Sequence, residues 1–329
     1  MNIAIIGAGM AGAAAARTLS AHGHAVQLFD KSRGAGGRLM TKRQFGIDHG
    51  AQYFTARSPE FVQQVREWQA AGVVSTWADQ GLQVWEAAGA RISAGELRYV
   101  GTPSMHQAVK HSVQGLVLHA SAVITGVEGQ ARAWRLQGLP PDHPAAGQLF
   151  DAVLWTLPLP QLVAQAAPFP QHWYTAWADV RMTPCWAAWW RGDAPADAAA
   201  SPWQTERYPG VFVNDDEMVS WLAHNGSKAG REPRAWTLHT TAEWSQAHLE
   251  DAPEGVAEAV GSWLRGKGWH LDEPPHVHRW RYARVEGRAT QAQLWNPQSR
   301  LGVAGDWLMG GRVEGAWCSG VALAKAVMA

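Results

Sequence analysis

The sequence predicts an α/β fold with an α+β insert: a discontinuous Rossmann-type nucleotide-binding domain into which an antiparallel-sheet domain is inserted. Three observations carry this. A strand, a glycine-rich turn, a helix and a second strand open the chain, and a further strand and helix close it. Between residues 161 and 285 the text changes texture and holds 12 of the 20 tryptophans. With 329 residues there is room for about two domains of ordinary size, and 47% hydrophobic against 17% charged residues is a globular composition.

The elements follow in order. Asn2-Ile3-Ala4-Ile5-Ile6 is a short apolar run halted by Gly7, as a buried parallel strand would be. The alanine-rich stretch Met10 to His22 reads as a helix that stops near Gly23. Ala25 to Phe29 is the next strand, closed by Asp30. Further on, Pro103 to Ser112 predicts a helix and Leu116 to His119 a strand. Val123–Val127 and Ala133–Gln137 predict a hairpin around Gly126 and Gly129. Pro140 to Gly147 is a turn-rich loop, and Phe150 to Trp155 is a buried strand stopped at Pro158. In the tryptophan-rich part, Val219–Ala223 and Ala235–His239 read as strands, Gly192–Pro202 as loop, and Pro253–Gly266 as a helix. Arg300–Ala304 and Val313–Met328 are the closing strand and helix. The expected division is 1–55, 101–160 and 286–329 for the nucleotide-binding domain, with 56–100 and 161–285 forming the insert.

Lys+Arg and Asp+Glu both number 28, for a formal net charge of zero. Such a chain carries no electrostatic footprint for nucleic acid or a membrane surface, which leaves a small-molecule partner. Cys185 and Cys318 have no paired spacing, so neither a disulfide framework nor a zinc site is expected, and a reducing, cytoplasmic setting is the default. The apolar opening from Ile3 to Ala16 lacks a preceding basic residue and is broken by Gly7, Gly9 and Gly12, which argues against a secretion signal. No run approaches the roughly 20 apolar residues of a bilayer span. Most of the tryptophans read as core filling, and some of them as walls for a flat, conjugated ligand.

Gly7-Ala8-Gly9-Met10-Ala11-Gly12 is a GxGxxG turn between strand and helix. Gly7 permits the tight turn, Gly9 lets backbone approach a pyrophosphate, Gly12 lets helix pack on strand, and the helix N-terminus attracts the phosphate charge. Asp30, at the end of the next strand, suits ribose hydroxyls. NAD and FAD both satisfy this much. Gly36-Gly37-Arg38 points to FAD, because a guanidinium there can run alongside the pyrophosphate. The C-terminal half supplies Gly305-Asp306, whose carboxylate suits the ribityl hydroxyls. The helix from Val313 through Gly315 would aim its positive end at the flavin's pyrimidine edge. Lys31 and Val123 complete the candidate cofactor set. Cys318 lies on the wrong helix to reach the benzenoid ring, so the FAD is expected to be non-covalent.

These motifs, with Asp48-His49-Gly50-Ala51-Gln52-Tyr53, resemble the renalases, and the bacterial branch in particular, within the amine-oxidase and p-hydroxybenzoate-hydroxylase-like flavoproteins. The resemblance runs on through His224-Asn225-Gly226-Ser227-Lys228, Trp236-Thr237-Leu238-His239 with Trp244-Ser245, and His278-Arg279-Trp280-Arg281-Tyr282-Ala283. Gly226 and Ala229 depart from it, standing where Ser and Pro are expected. The resemblance implies FAD contacts at Ala11, Arg38, Gln52 and Tyr53. It also implies an oxidase that returns the 2- and 6-dihydro isomers of NAD(P)H to NAD(P)⁺ and makes hydrogen peroxide from oxygen. A dihydropyridine that loses hydride becomes an aromatic cation without losing a proton, so no catalytic residue is expected. The sequence accordingly shows no Ser/His/Asp grouping and no metal-ligand cluster. Asn225 and His239 are candidates to grip a carboxamide, although a turn asparagine and a core histidine explain them equally well. Trp280, Arg281 and Tyr282 are candidates to line the pocket at the domain boundary. A flavin-containing amine oxidase and a non-catalytic flavin redox sensor remain as alternatives. A monomer or weak dimer is expected.

Overall fold

The computed structural model describes all residues other than 43, 87, 88, 94, 166–168 and 196–208. Its first sheet has six strands in the spatial order Leu294–Asn296, Leu301–Val303, Ala152–Trp155, Asn2–Ile6, Ala25–Asp30 and Val117–Ala120. All neighbours are parallel except the first pair. The central strands are buried on both faces, as their unbroken aliphatic text requires. Helix Met10–Ala21 and helix Val313–Met328 pack on this sheet and on each other. Small residues allow it: a Cβ at Gly320 would lie 2.2 Å from the Ala11 carbonyl oxygen.

The second sheet has eight strands: His270–Leu271, Arg181–Asp193, Ala235–Thr240, Val219–His224, Gly210–Val213, Leu82–Glu86 and Gly89–Ser93 in path order, with His276–Glu286 also paired to Arg181–Asp193. It is antiparallel except where Gly210–Val213 runs parallel to Leu82–Glu86, so the insert sheet is mixed and not purely antiparallel as expected. Its long strand Arg181–Asp193 was hidden in the sequence by Pro184. Proline cannot donate to a ladder, and the register shifts between Thr183 and Cys185. Helix Pro253–Gly266 covers this sheet and has the expected bounds.

The helix expected over Pro103–Ser112 begins only at Gln107, after turns. The hairpin is shorter than expected, pairing Gly126–Glu128 with Arg135–Gln137. Of the loop expected over Gly192–Pro202, Gly192 and Asp193 end a strand, and residues from 196 onward lie outside the described ones. Two helices that the expected division assigns to the insert, Pro59–Ala70 and Gln171–Ala176, pack into cores that also hold first-sheet residues. Phe61, Val65 and Trp68 of Pro59–Ala70 share a core with Ile3 and Leu28, and Trp173 and Ala176 share one with Val153 and Leu301. Tryptophan serves mainly as core, with Trp173, Trp177, Trp186, Trp189, Trp190, Trp236 and Trp269 all buried. Trp203 lies outside the described residues.

Candidate active site

The turn at Gly7–Gly12 is built as its spacing predicts. Gly7 sits at φ +107°, and a Cβ at Gly12 would lie 2.1 Å from the Gly7 carbonyl oxygen, so helix and strand meet backbone to backbone there. A Cβ at Gly9 would meet nothing within 4 Å. Gly9 caps the first helix with no side-chain acceptor on its N-terminal amides, leaving open space above free donors. Gly37, at φ +54°, backs onto this turn, with its would-be Cβ 3.3 Å from the Gly9 Cα. Gly36 donates its N–H to the Ala8 carbonyl at 2.9 Å.

Asp30 holds the same turn in shape. Its carboxylate accepts from the Ala8 N–H at 2.7 Å and from the Ser32 N–H at 2.8 Å. Lys31 is exposed beside it. Val123, 53% exposed, follows the segment whose Ala122 N–H bonds the Asp30 carbonyl at 2.9 Å, so it stands next to this end of the turn.

Arg38 and Asp306 are brought together from opposite ends of the chain. The guanidinium donates to both carboxylate oxygens, Nη1 to Oδ2 at 2.9 Å and Nη2 to Oδ1 at 2.5 Å. Gly305 precedes Asp306 in extended backbone, its N–H bonded to Ser319 Oγ at 3.0 Å. The helix Val313–Met328 also starts without a side-chain cap on its own first amides. A Cβ at Gly315 would press on Met309 at 3.0 Å. Its first-turn Glu314 accepts from the N–H groups of Arg57 and Ser58. Cys318 is half-buried against Ser58 Oγ at 3.7 Å.

A buried charge cluster ties the first domain's Asp48 to the insert. Asp48 pairs with Lys228 at 3.2 Å and Arg231 at 2.8 Å, with all three side chains fully buried. Burial pushes the Asp48 carboxyl up, but the two cations and the Thr41 hydroxyl outweigh this and hold it below the usual range. Burial lowers Lys228 to about 8. Gln52 belongs to this cluster: Oε1 accepts from Lys228 at 3.0 Å while Nε2 donates to the carbonyls of Asp48 and Gly50. Its side chain is thus engaged by protein groups, and only its backbone is left to serve as the expected cofactor contact. Asn225 is 0% exposed and its amide bonds the Asp48 backbone and Thr237. This corrects the expectation of a carboxamide grip, because a fully buried, fully bonded amide has nothing left to offer a ligand. Gly226 has no room for the expected serine, since its would-be Cβ lies 2.0 Å from the Pro233 carbonyl oxygen.

Beyond the cluster lies a cleft of about 420 Å³, between Ala51-Gln52-Tyr53 on one side and Phe212, Val213, Asn214, Ser220, Trp221, His239 and Arg284 on the other. The rings of Tyr53 and Trp221 are tilted at 46° with centroids 5.8 Å apart. Burial raises the Tyr53 phenol. His239 lies in this wall. Burial, reinforced by the Arg284 charge, lowers its imidazole to about 3, so it is neutral at physiological pH. Its Nε2 lies 3.3 Å from the His49 carbonyl oxygen.

The remaining pocket candidates separate by strand alternation. Trp280 faces the first domain, stacks on His49 with centroids 5.1 Å apart, and donates to its carbonyl at 3.0 Å. It packs the boundary. Arg281 points the other way and forks onto Glu250 at 2.6 and 2.8 Å, which corrects its assignment to the pocket. Tyr282 is half-buried, two residues beyond Trp280. Sequence reasoning missed Arg284, Ser220 and Trp221. The same alternation, carried two residues past Tyr282, would have pointed to Arg284.

The fold defines a class: a Rossmann-type α/β nucleotide-binding architecture joined to a second sheet, as in several oxidases. A family model described as an NAD(P)-binding Rossmann-like domain matches residues 5–68. Putrescine oxidase bound to putrescine is similar at TM-score 0.71 and 14% identity, over 99% of this chain and 98% of that one. A putative protoporphyrinogen oxidase from Exiguobacterium sp. 255-15 gives 0.73 at 11% identity, with the same coverages. Cyclohexylamine oxidase from Brevibacterium oxydans IH-35A gives 0.71 at 13%, again over 99% and 98%.

Proposed function

We propose that this protein is an FAD-dependent oxidase that takes a hydride from the 2- and 6-dihydro isomers of NAD(P)H, yielding NAD(P)⁺ and, with oxygen, hydrogen peroxide. The observation that carries the reading is the cleft. It is lined by aromatic rings and one neutral imidazole, and no carboxylate is among its described lining residues. FAD, when bound non-covalently, would supply the two-electron acceptor that oxygen restores. The cradle supports FAD: the space over Gly9, two helix N-termini without side-chain caps, and Arg38 with Asp306 suit a pyrophosphate and a polyol.

The protein's own tasks are then few. Asp30 and Asp306 accept from ribose and ribityl hydroxyls, and Arg38 lies along the pyrophosphate. Ala11, Lys31, Gly37, Tyr53, Val123, Gly305, Val313 and Gly315 complete the contacts, with Gln52 acting through its backbone. Tyr53 and Trp221 offer the cleft a flat apolar wall for the ring, and the neutral His239 exchanges a hydrogen bond with its carboxamide. None of these groups has to remove a proton, since the product pyridinium is formed by loss of hydride alone. The protein works in the cytoplasm as a monomer or weak dimer.

An amine oxidase is the second reading, favoured by the tilted Tyr53–Trp221 pair and by similar folds that include putrescine and cyclohexylamine oxidases. Anaerobic mixing of the purified yellow protein with ordinary NADH, each dihydro isomer, putrescine and cyclohexylamine separates the two. The isomers should bleach the flavin rapidly and the amines should not. The reverse pattern overturns the proposal, and a reduced flavin that is stable in air would indicate a redox sensor.

A further inference from the structure

Arg284 is the single charged group among the described residues lining the cleft. It is exposed, so it retains most of its donors for a ligand, and its Nη2 donates to a neutral hydroxyl, Ser220 Oγ, at 2.7 Å. Glu86, bonded to the lining residue Asn214 through that side chain's amide at 3.0 Å, is also engaged by Arg91 at 3.1 Å. Next to Arg284 the cleft offers Tyr53, Phe212 and Trp221 as flat apolar surface and His239 as a neutral polar group. A cavity of this composition is suited to a flat heterocycle that carries an anion at one end. It is badly suited to an ammonium group, which would meet a cation and find no carboxylate.

We infer that Arg284 is a specificity-determining residue that binds the phosphate of a nucleotide-type substrate while its ring lies in the cleft lined by Tyr53, Phe212 and Trp221. This rests on the oxidase reading above and deepens it, because it makes the phosphate, and not only the dihydropyridine, part of what is recognised. A guanidinium matches phosphate by two parallel N–H donors, and a lysine at the same place offers only a point charge. Arg281 has no share in this, being held on the opposite side of its strand by Glu250.

The test compares ligands with and without phosphate on wild-type, Arg284→Ala and Arg284→Lys holoenzyme. Anaerobic flavin reduction is followed with the 6-dihydro isomer of NADH and with the corresponding phosphate-free dihydronicotinamide riboside. In Arg284→Ala the apparent Kd for the dinucleotide should rise at least tenfold more than that for the riboside. The limiting reduction rate with the dinucleotide should change less than threefold, and Arg284→Lys should recover part of the affinity. Equal losses for both ligands would overturn the proposal, as would no loss at all. Release of FAD by Arg284→Ala would also overturn it, since Arg284 would then belong to the cofactor. Binding of nicotinamide mononucleotide against nicotinamide riboside, read from perturbation of the flavin spectrum, does not depend on turnover. If wild-type prefers the mononucleotide and Arg284→Ala does not, while no dihydro isomer reduces the flavin, the phosphate site stands and the oxidase reading falls.

Discussion

Arg38 and Asp306 lie 268 residues apart in the chain and meet in a two-pronged ion pair, joining the segment after the second strand to the motif before the last helix. Asp306 is 7% exposed and Arg38 29%. Removing one partner therefore leaves a largely shielded charge without its fork. Arg38→Ala and Asp306→Asn should each cost about 1.5–3 kcal/mol, and a double-mutant cycle by chemical denaturation should show coupling above about 0.5 kcal/mol. If the Arg38 guanidinium also runs along the pyrophosphate, Arg38→Lys should release flavin more readily than wild type, because a point charge cannot replace the planar fork. Full flavin occupancy in Arg38→Lys would count against that role.

Stability should fall steeply in mild acid. Burial first, with neighbouring charges added, lowers His278 to about 4, His239 to about 3 and His49 to about 2. Their folded values thus lie below the ordinary 6.5, so the unfolded chain binds more protons than the folded one at pH below about 6.5. Stability is therefore intact above that pH and is lost as the pH falls toward 4, by at most about 1.4 kcal/mol per pH unit for each imidazole. His239→Gln should flatten the dependence of melting temperature on pH between 6 and 4. An unchanged slope would show that His239 is not held neutral by the fold.

Asp48 is the only carboxylate paired with Lys228 and Arg231 among the described residues. Asp48→Asn would leave two buried cations without a counter-charge, so a loss of about 3–5 kcal/mol is expected in urea unfolding. A loss under about 1 kcal/mol would mean that water reaches the cluster.

Local pattern and tertiary placement were legible to different degrees. The opening strand and helix, helix Pro253–Gly266 and helix Val313–Met328 could be read because period and punctuation are local signals. The long strand Arg181–Asp193 could not, because Pro184 breaks its text and its tryptophans suit a buried helix as well as a strand. At the site, the glycine turn and Asp30 were legible from spacing. The buried position of Asn225 and the outward turn of Arg281 depend on partners such as Asp48 and Glu250, distant in sequence, which no local pattern names. Arg281→Ala should accordingly change the melting temperature little and leave flavin reduction by a dihydro isomer at the wild-type rate. A clear fall in that rate would return Arg281 to the pocket.

The reading of the Gly7–Gly12 turn as a cofactor cradle is tested by two of its glycines, which differ in what surrounds them. Gly12 has the Gly7 carbonyl 2.1 Å from its would-be Cβ, whereas Gly9 has nothing within 4 Å and an ordinary φ of −80°. Gly12→Ala must push the helix off the strand and should cost about 1–3 kcal/mol in the protein without cofactor. Gly9→Ala fits the folded backbone, so the same measurement should show a change within about 0.5 kcal/mol. Yet the added methyl occupies the space through which a pyrophosphate would reach the helix amides. Gly9→Ala should therefore fold with a wild-type melting curve once both proteins are stripped of flavin, and bind added FAD at least tenfold more weakly. If it bound FAD as well as wild type, the pyrophosphate would have to lie elsewhere, and the reading of this turn as the cradle would fail with it.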